Sequence, residues 1–138
     1  MAQIDRILVS VGFMWLILGM VLGLNMGMTG NNQLQVVHIA MLLPGFVVLA
    51  VYGMVYRLWP AAKNAPLAKV QCWAAIIAVF GQVAGAYLLA MGSEQASMII
   101  MFSSMLAILA ATLMAWLFWT RTADAKSHTP RPQAAYSP

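Results

Sequence analysis

The chain has 138 residues, of which 63% are hydrophobic and 7% charged, with a net charge of +4. A soluble domain carries about a quarter charged residues, so this composition excludes one, and the mean hydropathy of +0.85 reads as an integral membrane protein. The single cysteine, Cys72, excludes an internal disulfide and any multi-cysteine metal site.

Four apolar stretches follow one another: Ile7–Met28, Leu34–Trp59, Leu67–Met91 and Ala96–Trp119. Each exceeds the roughly 20 residues that a bilayer core demands of a helix. Strands of a membrane barrel are shorter and alternate with a polar lumen face, a pattern absent from this sequence. The first stretch is too long for a signal-peptide core and lacks a small-residue cleavage site, so it is expected to remain as a span. It carries Gly19, Gly23 and Gly27 at four-residue spacing, and the third stretch carries Gly81 and Gly85. Such rows let helix backbones approach closely, either within the bundle or between copies.

The connections are short, so the helices should run up-down-up-down as a bundle or arc. Residues 1–120 then form one four-helix domain. After Thr120 the composition turns polar, "RTADAKSHTPRPQAAYSP", with three prolines. Residues 121–138 are expected to be a disordered tail, with His128 a solvated residue in it.

Charge sets the expected orientation. Arg6, Arg57, Lys63, Lys69, Arg121, Lys126 and Arg131 all fall on one side of the spans, whereas the other connections hold only Glu94. The positive-inside rule makes that side cytoplasmic, with both termini inside a cytoplasmic membrane. Trp59, Trp116 and Trp119 sit at the same edge, where indoles anchor among headgroups. Topology and anionic lipid therefore account for the basic balance, and no nucleic-acid partner is needed.

The second stretch, "LQVVHIAMLLPGFVVLAVYGMVYRLWP", holds one histidine, His38. An ionisable ring at membrane depth is costly and calls for a partner or a task. Positions seven apart on a helix share a face, which places His38, Gly45 and Tyr52 in one stripe with Tyr56 nearby. A ring nitrogen above a glycine gap is one way to receive a haem. A hydrogen bond from the ring to a carbonyl or to interfacial water is the other reading of the same spacing.

The stretch Leu34–Pro60 resembles a histidine-bearing helix of haem-copper oxidase subunit I, and especially that helix in short four-span relatives. The matching residues are His38, Leu43, Gly45, Phe46, Gly53, Tyr56, Arg57, Leu58 and Pro60. Two positions depart from the pattern: Ala40 replaces the second histidine of H-x-H, and Pro44 precedes the glycine. The resemblance implies a b-type haem with His38 as an axial ligand. It implies an arc-like domain that closes as a homotrimer, because the oxidase subunit is built of three such arcs. It also implies electron transfer, with a respiratory redox partner, or diatomic-gas binding. With no further histidine in the spans, one chain lacks the donors of an oxygen-reducing haem-copper centre.

Other donors and polar groups remain. Twelve methionines include Met20, Met26, Met28, Met41, Met91, Met98, Met101 and Met105 toward the outer side. Thioethers suit Cu(I), so copper handling through methionine and His38 is an alternative reading. Met41 is also a candidate haem-side residue, although three residues from His38 it cannot take the opposite face of the same haem. Gln82 and Asn25 are expected to form interhelical hydrogen bonds. The spans lack carboxylates, which argues against a proton relay. Ser103 and Ser104 have no histidine at readable spacing and offer no nucleophile. A third reading is a structural subunit of a larger membrane complex without haem.

Overall fold

The structure is a computed structural model that describes residues 3–127, with side chains described as far as Arg121. Four helices are long and apolar enough to cross a membrane. They are α1 (Ile4–Thr29), α2 (Gln35–Leu58), α3 (Leu67–Ala90) and α4 (Ala96–Ser127). An all-α, four-helix membrane fold is thus in place. Helix α4 runs beyond Trp119 to Ser127, so the first seven residues of the expected disordered tail, 121–127, are helical. His128 and the rest of the tail lie outside the described residues.

Local chemistry sets the helix ends. Gly30 takes the left-handed conformation (φ 66°) after α1, and its N–H donates to the carbonyl of Met26 at 2.9 Å. In the connection that follows, the Asn31 side-chain oxygen accepts from the N–H of Gln33 at 2.9 Å. Helix α2 stops at Leu58 because Trp59, held extended by the proline after it, cannot continue the helix. A single helical turn, Pro60–Lys63, leads into α3. Gly92, with φ 74°, follows the end of α3.

Helix α2 is not uniform. Between Met41 and Val48 it widens into a π-helical segment containing Pro44. Proline has no N–H and its ring presses on the carbonyl four residues back. A wider turn relieves that clash while the chain stays helical, which a lipid environment requires.

The helices form an arc. Helix α1 packs along α2, α2 along α3, and α3 along α4, with α3 as the hub. Half of the apolar window of α3 is buried, against 17–22% for the other three. Alanines make that centrality workable, because Ala68, Ala74, Ala75, Ala78 and Ala86 on α3 are all buried. Large apolar side chains such as Val21, Leu24, Val51, Phe102 and Ile108 are exposed, the pattern of helices facing lipid.

Glycines close the neighbouring pairs. A Cβ on Gly53 of α2 would lie 2.6 Å from Val9 Cγ2 and 3.0 Å from the carbonyl oxygen of Asp5, both on α1. One on Gly81 of α3 would meet Ser103 of α4 at 2.7 Å. The rows seen in the sequence therefore serve packing within the chain, with Gly27 alone among them facing open space.

At the end of the arc where the helical domain begins and α4 finishes, Lys63 Nζ donates to Asp5 Oδ1 at 2.8 Å and ties the α2–α3 connection to α1. Trp59 and Phe118 meet edge to face at a centroid distance of 4.9 Å, joining that connection to α4.

Candidate functional site

The histidine sits in a socket made by glycine. His38 lies one turn into α2, half-buried against α1. Its Nδ1 is 2.8 Å from the carbonyl oxygen of Gly19. A Cβ on Gly23 would stand 2.7 Å from His38 Cε1, so only glycine there admits the ring. Because a carbonyl can only accept, Nδ1 is the ring nitrogen that donates to it, and Nε2 is the one left over. No protein partner engages Nε2 among the described residues.

The other residues of the expected stripe go to different places. Gly45 is buried against α1: a Cβ there would lie 2.9 Å from Trp15 Cβ and 3.0 Å from its Cγ. The indole of Trp15 therefore fills the gap that the sequence offered as a wall for a macrocycle. Met41 packs at Gly19 through its Cβ. Tyr52 lies elsewhere, lining a cavity between α2, α3 and α4. His38, Met41 and Gly45 are thus gathered on α1, and Tyr52 is separated from them.

That cavity holds about 300 Å³ and lies near the middle of the three helices along their length. Pro44, Val48 and Tyr52 form one side, Ala78 and Gln82 of α3 the floor, and Ala107 and Ala111 of α4 the other side. Neither the Gln82 amide nor the Tyr52 hydroxyl has a hydrogen-bond partner among the described residues. Among the described residues the expected interhelical bond of Gln82 is absent. Accordingly, Gln82→Leu should leave stability unchanged or raise it by up to about 1 kcal/mol, since it removes an unpaired polar group. Equilibrium unfolding in mixed micelles checks this. A loss above 1 kcal/mol would mean that the amide has a partner in the cavity.

The hydrogen bonds that join α2, α3 and α4 are made by a glutamine that the sequence reading passed over. Gln71 of α3 is fully buried. Its Oε1 accepts from the Tyr56 hydroxyl at 2.9 Å, and its Nε2 donates to the carbonyl of Ala110 on α4 at 3.3 Å. The Tyr56 hydroxyl also approaches the Ala68 carbonyl at 3.4 Å. Three helices are joined by one side-chain pair. The signal was present: Gln71 shares its helix face with Ala68, Ala75 and Ala78, the small residues that mark the packed side of α3.

The methionines do not converge. Met26 is half-buried and Met28 exposed, as expected of residues two apart on a helix. Met20, Met91, Met98, Met101 and Met105 are exposed on three different helices or at their ends. Buried Trp15 Nε1 has no hydrogen-bond partner among the described residues, while its ring meets Phe80 of α3 edge to face at 4.9 Å.

No family model, curated protein or solved structure matches this chain.

Proposed function

We propose that the chain is a multi-pass protein of the cytoplasmic membrane that holds a b-type haem through Nε2 of His38, for electron transfer or diatomic-gas binding. One observation carries the reading. The Gly19 carbonyl holds Nδ1 and so orients the ring with Nε2 unengaged, which is how metal-ligating histidines are prepared. The donor fits such a group. The wall does not fit within one chain, because Trp15 occupies the Gly45 gap. The remaining wall would have to come from outside the α1–α2 pair, from another copy in a trimer or from a redox partner. When bound, the haem supplies a redox-active iron, with gas binding where its sixth position is open.

A second reading has its own support. The close seating of His38 on Gly23 and of Trp15 on Gly45 is also what a purely structural α1–α2 lock requires. The chain would then be a haem-free membrane subunit.

Two substitutions separate these readings. His38→Ala removes both the iron donor and the hydrogen bond, whereas His38→Gln can still donate to the Gly19 carbonyl but is a poor haem ligand. On the haem reading, wild-type protein produced with ample haem shows a Soret band. Both variants lose at least tenfold of it, with the helices still inserted. On the structural reading, wild-type protein is colourless, His38→Ala is destabilised by about 1–3 kcal/mol, and His38→Gln recovers part of that loss.

A further inference from the structure

A second, smaller cavity of about 240 Å³ opens between α1 and α2 at the basic end of the arc. Arg6 and Ser10 of α1 and Arg57 of α2 line it together with apolar Val9 and Met54. Two helices bring their arginines to one hollow because Gly53, at its base, lets α2 approach the backbone of Asp5 and Val9.

Asp5 also borders the cavity, but its charge is taken up by Lys63 at 2.8 Å. Neither Arg6 nor Arg57 has a carboxylate partner among the described residues. Two guanidinium groups thus share one hollow without a counter-ion. Arg57, in the last turn of α2, is well placed for the helix dipole. Arg6 is not. It stands in the first turn of α1, where a cation is disfavoured and an anion is welcome.

We propose that this cavity binds the phosphate of an anionic phospholipid, held between Arg6 and Arg57 with the Ser10 hydroxyl as a further donor. Guanidinium groups match phosphate oxygens in pairs, and the site lies at the headgroup level of a four-helix span. The apolar part of the lining decides between lipid and free phosphate. Val9 and Met54 lie beneath the arginines and would receive the glycerol and the upper acyl chain, which inorganic phosphate does not possess.

The test uses the full chain in mild detergent, with bound lipid counted by native mass spectrometry. Phosphatidylglycerol should be retained at least tenfold more tightly than phosphatidylcholine. Arg6→Gln and Arg57→Gln should each reduce that preference severalfold. Lys69→Gln removes a basic residue from the same end without touching the cavity and should leave the preference unaltered. Both arginines are exposed, so these variants keep the packed helix faces intact. Equal retention of the two lipids, or a Lys69→Gln effect as large as that of Arg57→Gln, would overturn the site in favour of diffuse surface charge. Inorganic phosphate displacing phosphatidylglycerol at equal concentration would overturn the lipid assignment.

Discussion

Gln71→Leu is expected to destabilise the folded bundle by about 2 kcal/mol, although it replaces a polar residue with an apolar one in a membrane. Leucine is close to glutamine in size, so packing around the site changes little. What changes is the buried Tyr56 hydroxyl, which keeps only the longer 3.4 Å approach to Ala68. The cross-link to the Ala110 carbonyl of α4 is lost as well. Tyr56→Phe should cost about 1 kcal/mol, because it leaves Gln71 Oε1 without its donor. The double variant should then be more stable than the sum of the two losses predicts, by about 1 kcal/mol, since neither half of the pair remains to be orphaned. Equilibrium unfolding of the four proteins in mixed micelles measures this coupling. Strict additivity would show that the two side chains do not depend on each other.

Gly53→Ala should also be damaging, by about 1–3 kcal/mol, even though alanine is the better helix former by about 1 kcal/mol. Val9 Cγ2, at 2.6 Å from the added methyl, can rotate away. The Asp5 carbonyl at 3.0 Å and the Val9 nitrogen at 3.4 Å belong to the α1 backbone and cannot. The two helices must separate at the end where Asp5 meets Lys63. Gly27 provides the control, because a Cβ there meets nothing within 4 Å. Gly27→Ala should therefore stabilise by up to about 1 kcal/mol through helix propensity alone. The same unfolding assay reads both, and equal effects at the two positions would refute the packing argument.

The four helices were legible because each is a long apolar run bounded by polar turns, and the bilayer makes length and composition nearly sufficient. Pairing within the arc was partly legible from the glycine rows. What spacing concealed was the face on which each residue of α2 lies. A seven-residue stripe presumes an unbroken α-helix, yet the π-helical turns between Met41 and Val48 take up more residues per turn and slip the register. His38 and Tyr52 flank that segment, so one meets α1 and the other faces α3 and α4. Pro44 was visible as a departure from the oxidase-like pattern, and its effect on register was the unread part. The two glutamines of α3 teach a similar lesson. Gln71 and Gln82 look alike along the chain, yet the Tyr56 hydroxyl and the Ala110 carbonyl meet the first, while the second lines the cavity without a hydrogen bond among the described residues.

The distribution of contacts also bears on how the molecule is made. Helices α1 and α2 are neighbours in sequence, joined by a short turn and closed by Gly23, Gly45 and Gly53. Helices α3 and α4 form the same kind of hairpin through Gly81 and Gly85. Each hairpin can zip up as soon as its second helix enters the bilayer, since the segments that meet are close along the chain. The Tyr56–Gln71–Ala110 bridge needs both hairpins at once. Biogenesis accordingly has a natural order: two hairpins inserted one after the other during synthesis, then a polar latch that closes only when α4 has arrived.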